Sequence, residues 1–95
     1  MNKIIFGFLL CFLSISLSAQ TDKEIAYSKA KEAIKIMDEG KLEESIKLLE
    51  ESQKLDSENY IYPYEIAYAY VQKKEYEKAI KILNKVKKYK SLNSQ

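Results

Sequence analysis

The chain has 95 residues, 46% of them hydrophobic and 32% charged, with two glycines and one proline, the composition of a single compact helical domain. It contains no His, Arg or Trp, and its one cysteine, Cys11, lies in an apolar leading stretch; a zinc site, a His-activated nucleophile and a disulfide framework are therefore excluded. The net charge of +2 averages two unlike segments, because all 14 acids and 15 of the 16 lysines lie beyond Ala19.

Residues Met1 to Ala19 read as a secretory signal peptide. Lys3 precedes the uncharged run Ile4 to Leu13, and small residues follow up to a cut after Ala19, with a cut after Ser18 as the near alternative. A membrane-spanning helix needs about 20 apolar residues, whereas this run is shorter and is followed by Ser14, Ser16 and Ser18. Cys11 follows Leu9 and Leu10 in mid-run and reads as a small apolar residue, not as a lipidation site. The expected product is an exported, periplasmic or secreted chain of about 76 residues with no thiol, which suits an oxidising compartment.

Beyond the leader, apolar residues recur at helical spacing in four runs, about Lys23 to Glu39, Leu42 to Leu55, Tyr62 to Lys73 and Tyr76 to Tyr89. Gly40 breaks the first pair, and Asp56-Ser57-Glu58-Asn59 separates the two pairs. Pro63 belongs in a first turn, where its missing N–H is no loss, so the third helix is expected to start at Tyr62 or Pro63. Offset by 34 residues, the chain matches itself: Ala33 with Ala67, Glu43 with Glu77, Ile46-Lys47 with Ile80-Lys81, Leu48-Leu49 with Ile82-Leu83, and Lys54 with Lys88.

A doubled helix-turn-helix unit of this period resembles the tetratricopeptide repeat family. The first unit, residues 26–59, places Ala33 and Ser45 at the small positions and Gly40 at the turn; the second, residues 60–93, places Ala67 and Ala79 there and opens its second helix with Tyr76-Glu77-Lys78-Ala79-Ile80. It departs from the family pattern at Lys29 and Glu32, usually apolar, at Lys74, where the turn favours Gly, and at Ser57 and Ser91, where the family often has Pro. The resemblance implies an all-α domain over residues 20–95, with antiparallel helix-turn-helix repeats stacked as a short right-handed α-solenoid. Small residues at Ala33, Ser45, Ala67 and Ala79 let paired helices approach closely.

Each first helix carries a second apolar stripe beside the packing positions: Tyr27, Ala30, Ile34 and Met37 in one unit, and Ile61, Tyr64, Tyr68 and Val71 in the other. In the family resembled, this face lines a concave groove for peptides or partner helices. The resemblance thus implies a protein-binding face of Tyr27, Ile34, Met37, Ile61, Tyr64, Tyr68, Val71 and Gln72. Tyr64 and Tyr68 are the expected ligand contacts, and Ile34 and Ile61 the expected core. The same stripe also suits packing between neighbouring first helices, and both roles stay open here. The Lys and Asn clamp that some members use for chaperone carboxylates is absent, because Ala30, Ile34 and Glu65 stand at its positions. An apolar or aromatic protein segment is the expected partner, with no cofactor, small-molecule substrate or nucleic acid; the chain lacks arginine for base or phosphate forks.

Charge divides between the units: 11 acids against 7 lysines from Asp22 to Asn59, and 3 acids against 8 lysines from Tyr60 to Gln95. Lys78, Lys81, Lys85, Lys87, Lys88 and Lys90 read as a solvated face whose lysines favour the negative end of a helix, with an anionic partner or membrane surface as the alternative. Glu43-Glu44 and Glu50-Glu51 read as solvated helix acids with Lys47 and Lys54 four residues on, not as catalytic pairs. No enzyme is expected.

Two stacked hairpins leave end surfaces that such arrays usually cover with about three repeats or a capping helix. The expectation is that these residues open a longer repeat protein; a partner or second copy completing the stack, or a marginally stable pair, are the alternatives. Other readings of the whole are an envelope assembly factor tethered by an uncut leader and an accessory region of a larger envelope enzyme or nutrient-binding protein.

Overall fold

The computed structural model describes residues 20–93; the leader, with its cut site and Cys11, lies outside them. They form four helices: α1 (Asp22–Asp38), α2 (Leu42–Leu55), α3 (Ile61–Gln72) and α4 (Tyr76–Asn93). No strand occurs among the described residues, and the fold is all-α.

Local chemistry sets the boundaries. Thr21 caps α1, its hydroxyl accepting from the Glu24 N–H at 3.2 Å and donating to the Glu24 carboxylate at 3.1 Å, so the Thr-x-x-Glu pattern nucleates the helix at Asp22. Helix α3 starts at Ile61, just ahead of the expected start, because the Asn59 side chain takes up the Ile61 N–H at 3.1 Å. Pro63 lies in its first turn, where no N–H is required.

Both hairpin turns use one device. After α1 the Lys41 N–H reaches the Ile36 carbonyl at 3.0 Å and the Gly40 N–H reaches Met37 at 2.9 Å. After α3 the Glu75 N–H reaches Tyr70 at 2.9 Å and the Lys74 N–H reaches Val71 at 2.9 Å. These are paired Schellman closures, and each requires a left-handed residue. Gly40 supplies it at φ 88°, and Lys74 is forced into it at φ 65°.

Helices α1 and α2 are held by small residues and two buried hydroxyls. Ser45 donates to the Ala33 carbonyl at 2.8 Å, and Ser52, two turns onward, donates to Ala26 at 2.7 Å, two turns back. The pairing is therefore antiparallel, with Ala26, Ala33, Ser45 and Ser52 fully buried. A larger side chain at any of the four would wedge the helices apart, at about 1–3 kcal/mol. In the second hairpin Ala79 and Val86 stand where Ser45 and Ser52 do, and both are buried. Lys29, polar where the family pattern is apolar, reaches across to Glu51 at 3.1 Å and stays partly exposed.

The second hairpin docks onto the first through α3. Tyr62, Ile66 and Ala69, one stripe at helical spacing, join Ala26, Ala30, Met37, Ile46 and Leu49 in the core. Burial pushes the Tyr62 hydroxyl above the ordinary tyrosine value, and the Asp56 carboxylate adds to the rise. At the rim Lys73 binds Glu43 of α2 and, at 2.9 Å, Glu75, whose other oxygen meets Lys78 at 3.0 Å. The Glu43 and Glu75 carboxylates raise the Lys73 ammonium well above its usual range, while Lys73 and then Lys78 hold Glu75 below the ordinary carboxylate value. The Tyr70 ring faces both ammoniums, at 5.7 Å from Lys73 and 5.4 Å from Lys78.

Candidate functional site

Large apolar side chains left in water are informative where they fall into a pattern. Among the described residues these are Tyr27, Ile34, Tyr60, Ile61, Tyr64, Tyr68, Val71, Tyr76, Ile80 and Leu83. The repeat period sorts them into two sets of different origin.

Four of them pair across the repeats. Tyr27 corresponds to Ile61 and Ile34 to Tyr68, and all four are exposed, by 41% to 61%. Within each helix the two are seven residues apart, two turns along one face. Lys31 and Asp38 continue that face on α1, and Glu65 and Gln72 on α3, so an apolar stripe alternates with polar groups. The Lys31 ammonium lies 5.6 Å from the centre of the Tyr27 ring, an arrangement that keeps the ring outward and flanked by positive charge. The α1 and α3 residues that meet in the core lie on other sides of these helices, so Tyr27, Ile34, Ile61 and Tyr68 stay exposed.

The other six are repeat equivalents of buried or partly buried residues. Tyr60, Tyr64, Val71, Tyr76, Ile80 and Leu83 stand where the first hairpin has Ala26, Ala30, Met37, Leu42, Ile46 and Leu49. Those first-hairpin residues lie in the core beneath α3 or pack against it. A groove of about 620 Å³ lies beside three of the set, Tyr60, Tyr64 and Leu83, and is lined also by Ile61, Val86, Glu65 and Lys87. A second cavity, of about 380 Å³, opens between α2, α3 and α4 beside Gln53, Pro63, Tyr70 and Ile82.

The expected binding face thus divides. Tyr27 with Ile34 on α1, and Ile61 with Tyr68 and Gln72 on α3, each hold one exposed face of their helix, at equivalent repeat positions. Met37 does not: it is 4% exposed and a member of the buried cluster, so it is a core residue and not part of a binding face. Tyr64 and Val71 are exposed but belong to the α3/α4 end face, being the equivalents of Ala30 and Met37. Ile34 and Ile61, expected in the core, face solvent, because α3 presents Tyr62, Ile66 and Ala69 to the first hairpin instead. Tyr62 was missed as a core residue; its signal was the i, i+4, i+7 spacing with Ile66 and Ala69, masked by tyrosines on every side of α3.

Among the described residues no cluster of Asp, Glu, His or Cys is placed to hold a metal ion, and no helix is long and apolar enough to cross a membrane. No curated protein and no solved structure matches the chain. The family model of the tetratricopeptide repeat matches residues 37–94, from the end of α1 through α4. With that match, the 34-residue self-similarity and two hairpins closed by equivalent turns, the chain belongs to the tetratricopeptide repeat family, whose repeats are typically non-catalytic modules for protein–protein interaction.

Proposed function

We propose that this chain is an exported interaction scaffold that binds an extended peptide or partner helix on the face shared by α1 and α3, the concave side of a tetratricopeptide stack. The observation that carries the reading is the repeated exposure of Tyr27 with Ile61 and of Ile34 with Tyr68, which leaves a large apolar surface of each side chain in solvent. Tyrosine gives a large contact area with few rotors and a hydroxyl for orientation, the usual chemistry of a binding hot spot. Lys31, Asp38, Glu65 and Gln72 between the apolar residues suit a segment with apolar anchors one or two turns apart and mixed polar flanks. The role is binding, not catalysis.

Export rests on the leader, whose charged start, apolar middle and small-residue end are those of a signal peptide. Intact mass of the protein from envelope and culture fractions tests it: loss of the mass of the first eighteen or nineteen residues supports export, and retention of them overturns it. Crosslinking in intact cells tests the binding face. Tyr27→Ala with Tyr68→Ala should abolish a specific crosslinked species while helix content is unchanged; an undiminished species would refute the assignment.

A further inference from the structure

Helix α4 carries a row of like charge. Lys78, Lys81, Lys85 and Lys88 follow one another at spacings of three, four and three residues, so they share one side of the helix over about 15 Å, and no acid stands between them in the sequence. All four are exposed. We propose that this row seats the protein on the phosphate groups of an anionic lipid surface, with α4 lying along the plane of the headgroups. The proposal concerns the outer side of α4 and rests neither on the α1–α3 face nor on export.

Neither packing nor solvation accounts for the row. Its repeat equivalents on α2 are Glu44, Lys47, Glu51 and Lys54, which alternate in sign and stay exposed although α3 docks on the first hairpin. This side of a second helix is thus open even where another hairpin is stacked beside it. Opposite charges at these spacings support a helix and like charges oppose it, so α2 has the pattern that solubility favours and α4 does not. The helix dipole does not supply the reason either. Its effect is confined to the first and last turns, and α4 runs to Asn93, past the end expected from its periodicity. Lys78 stands in the first turn, where a cation is unfavourable, and Lys81, Lys85 and Lys88 all precede the last turn. Of the acids that face the row, Glu75 meets Lys78 at 3.0 Å. Glu77, and Glu50 of α2 across a cavity from Lys85, make no ion pair with it among the described residues.

The chemistry of the row selects lipid over an acidic protein. Lysine carries a compact point charge, whereas shape-specific capture of carboxylates is suited to the planar fork of arginine, which the chain lacks. The row is straight and lies on the outside of a helix, and neither of the two cavities is lined by Lys78, Lys81 or Lys88. A line of ammonium groups without a pocket responds to the density of negative charge, not to the outline of a partner. A layer of headgroup phosphates supplies that density along the whole row, and each lysine near such a surface strengthens binding about fivefold.

Cosedimentation of the protein, purified from the cells that make it, with phosphatidylcholine vesicles containing or lacking phosphatidylglycerol tests the proposal. The wild type should bind the anionic vesicles and not the neutral ones, and should be released at about 1 M salt, where charge is screened within about 3 Å. Lys81→Gln with Lys85→Gln should weaken binding about thirtyfold. Lys23→Gln with Lys35→Gln, which removes the same charge from exposed sites on α1, should weaken it far less. Helix content should not change in either variant, because glutamine and lysine have similar helix propensity. A wild type that ignores anionic vesicles overturns the proposal. So does binding that survives high salt, an equal loss in the two double variants, or tighter binding to polyglutamate than to vesicles of matched charge, which would assign the row to an acidic protein.

Discussion

The two hairpin turns offer a controlled test of backbone strain, because one closure is built once with glycine and once with lysine. Gly40 has φ 88°, and a Cβ added there meets nothing within 4 Å, so Gly40→Ala carries a conformational cost with no clash. For an L-residue in the left-handed region that cost is about 1–2 kcal/mol, reduced by some tenths because alanine also restricts the unfolded chain. Lys74 already bears the penalty at φ 65°, and Lys74→Gly should recover about 0.5–1 kcal/mol of it. In a domain of this size about 1 kcal/mol shifts Tm by roughly 4–8 °C. Thermal unfolding followed by far-ultraviolet circular dichroism should therefore show Gly40→Ala melting several degrees lower and Lys74→Gly a few degrees higher. Combining the two should return Tm close to the wild type, since the turns are separate and share no partner. A Lys74→Gly variant that melts lower would refute the reasoning, because it would mean the lysine contributes more than its backbone costs.

Ser45→Ala and Ser52→Ala each remove one buried hydroxyl from a carbonyl of α1 and should cost about 1 kcal/mol apiece in chemical denaturation; no loss in either would mean these bonds only replace equivalent hydration. Tyr62 should make the fold sensitive to alkali. Its hydroxyl titrates above the ordinary value of 10.0 in the folded chain, so the unfolded chain loses the proton first. The stability from its burial is fully present below about pH 10 and is lost as pH rises through the higher folded value. Denaturation of the wild type and Tyr62→Phe across alkaline pH checks this, the variant being expected to lose less stability above the ordinary value.

Much of the fold is legible in the residues because its signals are local. Helical periodicity, Gly40 at the first turn and the small residues Ala33, Ser45, Ala67 and Ala79 each report a constraint within one hairpin. The expected glycine at Lys74 was informative even in its absence, since the backbone there adopts the conformation glycine favours. Helix starts were less exact, because capping by Thr21 and Asn59 depends on side-chain hydrogen bonds that apolar spacing does not register.

The site was legible only in part. Periodicity places Ala30 and Tyr64, or Met37 and Val71, at the same point on a first helix, yet the structure buries the first of each pair and exposes the second. The difference is not in the residues' own turns. It arises because α3 covers the first hairpin, while among the described residues no helix covers the second. The sequence by itself therefore determined the repeat, its four helices, the close contacts inside each hairpin and the character of the leader. Only the tertiary structure decided which apolar stripe is core, which faces solvent on α1 and α3, and which forms an open end face, because burial depends on the neighbour a helix meets and not on the helix alone.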